Sequence, residues 1–179
     1  MDVTGARRAR MVLIKAGLLA TFGLLAAASF SVPEAGAVPL GGAGYSPLSP
    51  ARLLDTRDGQ PTVDGLFAGG GVLGPAATLN LRVTGRGGVP ASGVGAVVLN
   101  VTAVDQTNNT YLTVFPKGAT RPLASNLNPN PGIIQPNLVV AKVGDGGEVS
   151  IYNNAGTVNL VADVQGWFPS PLGLSLIHI

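Results

Sequence analysis

Apolar and polar positions alternate most regularly over residues 95–104, Gly-Ala-Val-Val-Leu-Asn-Val-Thr-Ala-Val. Val97, Leu99, Val101 and Ala103 fall on one face at a period of two, and Ala96, Val98, Asn100 and Thr102 make a mixed opposite face, which predicts a central strand. Residues 78–84 alternate as cleanly, with Leu79, Leu81 and Val83 against Thr78, Asn80, Arg82 and Thr84, the pattern of a half-buried strand. Shorter runs of β-branched and small polar residues predict further strands over 51–57, 111–115, 124–128, 137–143, 148–152 and 158–167, the last with Val158, Leu160, Ala162 and Val164 inward. Gly, Pro and Asn turns separate these runs, and Asp145-Gly146-Gly147 is read as a tight hairpin joining 137–143 to 148–152. Residues 60–75 have little periodicity and predict a surface loop. About eight short strands with no helix between them predict an all-β fold, an antiparallel β-sandwich or jelly roll.

The two ends follow other rules. Residues 1–37 run from a basic start (Arg7, Arg8, Arg10, Lys15) through an apolar stretch over 16–30 to the small-residue site Ala35-Gly36-Ala37, the layout of a secretory signal peptide cleaved between Ala37 and Val38. The apolar stretch is about fifteen residues, short of the ~20 that a spanning helix needs. Residues 38–50 are rich in Gly, Pro and Ser and are read as a linker into a β-sandwich domain over 51–168. Residues 169–179 are read as an exit linker and a non-native tail. The final Leu-Ser-Leu-Ile-His-Ile back-translates as CTG TCT CTT ATA CAC ATC, which resembles a transposase adapter used in sequencing libraries, so a fragment of a longer gene is expected.

Charge sharpens this division. The chain carries 11 basic and 9 acidic residues, but from Val38 onward there are seven of each sign, so the basic surplus belongs to the targeting segment. The mature part therefore offers no electrostatic case for binding nucleic acid or, after signal cleavage, a membrane. With 46% hydrophobic and 11% charged residues a packed core is within reach. There is no Cys, which excludes disulfides and thiolate chemistry.

Candidate chemistry is sparse. Transition-metal sites lack Cys and, apart from His178 in the tail, lack His; Asp55, Asp58 and Asp64 lack the alternating ligand spacing of a Ca²⁺ loop, so no metal or other cofactor is expected. Gly85-Arg86-Gly87-Gly88-Val89-Pro90 has neither the following helix nor the Lys of a phosphate loop and is read as a turn. Asp55 and Asp163, each read at the end of an apolar strand, could form a glycosidase pair. The stronger account makes Asp55, Arg57 and Asp163 structural, with Arg52 or Arg57 pairing the carboxylates and closing the first strand against the last. Asn100, Asn126, Asn128 and Asn137 are read as buried amides that bond strand-end backbone. Tyr111, Tyr152 and Trp167 are the candidates for stacking on a sugar, with core packing as the competing role for each.

Several blocks taken together, Ala51-Arg52-Leu53-Leu54-Asp55-Thr56-Arg57, Val83-Thr84-Gly85-Arg86-Gly87-Gly88-Val89-Pro90, Ala124-Ser125-Asn126-Leu127-Asn128, Val149-Ser150-Ile151-Tyr152-Asn153 and Val161-Ala162-Asp163-Val164-Gln165-Gly166-Trp167-Phe168, resemble a β-rich domain of exported actinobacterial cell-surface proteins. The resemblance covers about residues 45–168 and implies a non-catalytic module, often repeated or attached to cell-wall hydrolases. The expected function is that of an exported cell-envelope or extracellular module for adhesion, assembly or substrate targeting, not an enzyme. The alternatives are a carbohydrate- or peptidoglycan-binding accessory domain of a truncated cell-wall hydrolase and, last, a glycan-active enzyme. The expected partners are cell-wall polysaccharide, peptidoglycan or a second copy of the chain.

Overall fold

The computed structural model describes residues 44–170. The signal peptide with its Ala37–Val38 cleavage site, most of the 38–50 linker and the tail beyond Ser170 lie outside the described residues. Seven strands follow one another: β1 (Ser46–Asp55), β2 (Thr78–Arg82), β3 (Val94–Val104), β4 (Leu112–Pro116), β5 (Gln135–Lys142), β6 (Glu148–Asn153) and β7 (Asn159–Pro169). They form two antiparallel sheets, one ordered β1-β7-β3-β5 and the other β2-β6-β4. Each strand lies in the opposite sheet from its predecessor, so every connection crosses the sandwich. This is the winding of a jelly roll.

The core lies between the sheets and follows the alternation. Val97, Leu99, Val101 and Ala103 of β3 are fully buried, as are Leu160, Ala162 and Val164 of β7, and they meet Leu81, Leu112, Val149 and Ile151 from the other sheet. Each of the Val, Leu and Ile side chains contributes roughly 1.5–3 kcal/mol of burial free energy, which suits a domain that has no disulfide to restrain it.

Three expectations are corrected. The eighth strand, 124–128, is not a strand: Leu127 makes only an isolated bridge to Leu112, at the edge position that an eighth jelly-roll strand would take beside β4. The ladder stops because the Asn126 side chain intervenes, its Oδ1 accepting from Val114 N at 2.7 Å where a strand would offer a carbonyl. Asp145–Gly147 is not a hairpin turn, because β5 and β6 belong to different sheets. It is a single 3-10 turn fastened across the end of the sandwich: Asp145 N donates to Lys117 O (3.0 Å), and Gly147 O accepts from Val83 N (3.0 Å) and Thr84 N (3.2 Å). The first strand begins at Ser46, inside the stretch read as linker, where Ser46 and Pro47 pair with Trp167 and Gly166 of β7.

The aperiodic loop 60–75 is strapped along the free edge of β1. Asp55 N donates to Phe67 O (3.2 Å), Val63 N to Arg52 O, Gly69 N to Asp55 O and Gly71 N to Thr56 O (2.9 Å each), and Leu73 pairs with Val158. An edge covered this way no longer offers a row of open backbone groups to another chain.

Candidate functional site

Arg52 of β1 and Asp163 of β7 are register partners in adjacent antiparallel strands. The guanidinium therefore meets the carboxylate in a fork, Nε to Oδ1 at 2.9 Å and Nη2 to Oδ2 at 3.3 Å, while Nη1 donates to Asp55 Oδ2 at 3.0 Å. Arg57, just past the end of β1, closes on the same carboxylate through Nε (3.0 Å), Nη2 (2.8 Å) and its backbone N (3.2 Å). The four residues form one chain of charge, Arg57–Asp55–Arg52–Asp163, that ties the first strand to the last. Asp55 is fully buried. Burial alone would raise its pKa, but the hydrogen bonds from Arg57 and the charges of Arg57 and Arg52 outweigh it and hold the carboxyl below the usual carboxylate range. Such a group is fixed as an anion and is a poor proton donor at neutral pH.

The aromatic candidates separate. In β6, Ile151 and Asn153 are fully buried and face the core, so Tyr152 between them points outward from the three-stranded sheet. Tyr111, one residue before β4, stands beside it with ring centroids 6.1 Å apart at 46°. Arg121 arrives from the loop after β4 and stacks its guanidinium 3.8 Å from the Tyr152 ring centroid, while Nη1 donates to Tyr111 Oη at 3.2 Å. Trp167 lies in the other sheet and packs against the core as a partly buried residue. Strict alternation from Val164 would turn Trp167 outward. A bulge at Gln165, which has no partner between the pairs Leu99–Val164 and Val98–Gly166, reverses the alternation and turns the indole inward.

Past the bulge, Gly166 lies on the outer face beneath the Tyr45 ring, which would collide with any Cβ at that position, and Tyr45 Oη donates to Gln165 O at 2.9 Å. Tyr45 also packs on Phe168, with centroids 5.4 Å apart. None of the four asparagines read as buried amides is buried: Asn100 and Asn126 are half-buried and Asn128 and Asn137 exposed, although Asn126 and Asn137 do bond backbone.

Three polar anchors escaped the sequence reading. Arg86, in the glycine-rich turn, is 5% exposed and gives every donor group a partner: Nε and Nη2 to Asp64 (2.7 Å each), Nη1 to Arg82 O (2.8 Å) and Nη2 to Leu53 O (2.8 Å). Its guanidinium also lies 4.9 Å from the Phe67 ring centroid. The side-chain hydrogen bonds from Arg86 lower the Asp64 pKa to about 2. The flanking Gly87 is the local signal: its Cβ would come within 2.9 Å of Leu53 Cδ2 and 3.0 Å of Val164 Cγ1, so the turn lies directly on the core. Asn153 is fully buried, donates through Nδ2 to Leu73 O, Gly74 O and Gly156 O, and accepts from Thr110 Oγ1 at 2.8 Å. Gln106 binds Asn130 O and Ile133 O through Nε2 and leaves its buried Oε1 without a protein partner.

Among the described residues no group of three or more His, Cys, Asp or Glu is placed to hold a metal ion. Comparison with protein-family models, with curated proteins and with solved structures finds no match.

Proposed function

We propose that this chain is an exported, non-catalytic module of the cell envelope or extracellular space, serving adhesion, assembly or substrate targeting. The observation that carries the reading is the fate of the two candidate catalytic carboxylates. Asp55 and Asp163 are both engaged by Arg52, and Asp55 by Arg57 as well, so the pair serves strand closure, and Asp55, held below the usual carboxylate range, is a poor general acid. The signal-peptide layout of residues 1–37 and the resemblance to exported actinobacterial surface domains supply the address. The second reading, a carbohydrate-binding accessory domain, is favoured by one specific feature, the outward-facing Tyr111 and Tyr152 on the three-stranded sheet.

The test is co-sedimentation of the full chain with purified actinobacterial cell walls, with reducing ends and free amines assayed in the supernatant. Retention without release is the expected result. Release of either product that disappears in Asp163→Asn would make the chain an enzyme. Failure of residues 1–37 to export a reporter would remove the address.

A further inference from the structure

We infer that Arg121, held by Tyr152 and Tyr111 on the outer face of the three-stranded sheet, is a binding site for the carboxylate of an acidic saccharide. The inference rests on the targeting reading above and gives it a ligand class.

Arg52, Arg57, Arg86 and Lys117 each pair with a carboxylate of the same chain. Arg82, Arg121 and Lys142 form no ion pair among the described residues, and of these three Arg121 is the one whose side chain docks on neighbouring aromatic side chains. One face of its guanidinium lies on Tyr152 and one nitrogen is fixed by Tyr111 Oη. A guanidinium normally gives up much side-chain entropy when it docks on an anion; here two tyrosines already orient it, and the residue is exposed.

The loop that carries it is tied down as well. Ala119 N donates to Pro116 O (3.1 Å), Thr113 Oγ1 to Ala124 O (3.0 Å), and Asn126 N to Leu112 O (2.8 Å). These bonds fold 117–126 over the outer side of β4, which is why the outward-facing Thr113 is fully buried.

The surroundings choose a sugar over a bare anion. Tyr152 pairs across the ladder with Thr78, and two rungs on, on the same face, Ser150 pairs with Asn80, their side chains sharing a hydrogen bond of 2.7 Å. Thr78 and Asn80 are exposed. Asn80 is a diagonal neighbour of Tyr152 on the same outward face, about 7–8 Å away between backbones. Hydroxyl and amide groups at that spacing suit sugar hydroxyls, and the guanidinium edge suits a carboxylate. The Tyr152 face itself is occupied by Arg121, so recognition goes through the guanidinium and not through direct stacking of a sugar on this ring. Glu148, the nearest carboxylate on β6, is paired with Lys117 and does not compete.

Calorimetric titration of the full chain with trigalacturonate, the matched neutral galactotriose, and acetate tests the inference. Trigalacturonate is expected to bind at least tenfold tighter than either of the others. Arg121→Ala and Arg121→Lys are both expected to lose about tenfold to a hundredfold in affinity, the range of a charged hydrogen-bonded contact, because lysine keeps the charge but not the fork. Tyr111→Phe, which frees Nη1, is expected to weaken binding by a few fold. All three changes lie at the surface and should leave the far-UV circular dichroism spectrum unaltered.

Equal binding of the acidic and neutral trisaccharides, acetate binding as tightly as the sugar, undiminished binding by Arg121→Ala, or no binding by the unmodified chain would each overturn the site. The cell-wall sedimentation assay separates the two readings. Walls retained equally by wild type and Arg121→Ala would leave the targeting function standing without this site; trigalacturonate binding without wall retention would leave the site standing without that function.

Discussion

Asp64→Asn isolates the contact that holds the longest connection of the sandwich in place. In the native fold the Asp64 carboxylate takes two 2.7 Å hydrogen bonds from Arg86, whose side chain is 4% exposed, and accepts a third from Leu66 N at 3.1 Å. A carboxyl held at about 2 against an ordinary value of 3.8 contributes about 2 kcal/mol at neutral pH, at about 1.4 kcal/mol per tenfold change in proton affinity. Screening at a side chain 32% exposed reduces that share to about 1–2 kcal/mol. The guanidinium adds its own term, because removing one partner of a buried pair leaves the other uncompensated, at about 3–5 kcal/mol when nothing replaces it. Asparagine keeps one acceptor, and Arg86 keeps the carbonyls of Arg82, Leu53 and Leu66, so the expected cost is about 2–4 kcal/mol.

Urea denaturation at pH 7 measures this directly, and limited proteolysis is expected to find new cleavage within 60–75. The pH dependence supplies a second check. Because the folded pKa lies below the unfolded one, this contribution is fully present above about pH 4 and is lost as pH falls toward 2. The stability gap between wild type and Asp64→Asn should therefore narrow over that window. A cost under about 0.5 kcal/mol at pH 7, or a gap that is constant with pH, would show that Arg86 is solvated in spite of its burial.

Further outcomes follow from the other anchors. Asn153→Asp turns three donated bonds toward Leu73 O, Gly74 O and Gly156 O into repulsions in a fully buried site, and is expected to cost more than about 3 kcal/mol by urea denaturation. Gly166→Ala drives a methyl into the Tyr45 ring; a loss of about 1–3 kcal/mol is expected, and the double variant Tyr45→Ala/Gly166→Ala should be less destabilised than the sum of the two single changes. The Arg57–Asp55–Arg52 cluster keeps the Asp55 pKa below its ordinary value, so its contribution is present above the usual carboxylate range and disappears on acidification below it. Asp55→Asn should flatten that part of the acid-unfolding curve. Leu99→Ala, at the centre of the core, is expected to cost about 3–5 kcal/mol and to lower the thermal midpoint by more than 10 °C.

Periodicity by itself determined the class of fold and the inward face of β3 and of the first half of β7. The alternation at 95–104 places Val97, Leu99, Val101 and Ala103 in the core, and that at 158–164 places Leu160, Ala162 and Val164 there, because a two-residue period leaves a strand only one way to bury its apolar set. Composition excluded thiolate chemistry, since a chain without Cys has no thiolate whatever its fold. Only the tertiary structure decided which strands are neighbours. Local pattern carries no information about partners when every connection crosses between sheets, so Asp145-Gly146-Gly147 imitates a hairpin while joining strands that never pair. The same holds for the polar groups. Arg86 meets Asp64 across 22 residues, Asn153 meets Leu73 across 80, and Arg121 finds two tyrosines that only the pairing of β4 with β6 brings side by side. One extra residue at Gln165 turns Trp167 inward, because a bulge reverses the facing of every side chain beyond it, and bulges are set by cross-strand register rather than by the residues on either side.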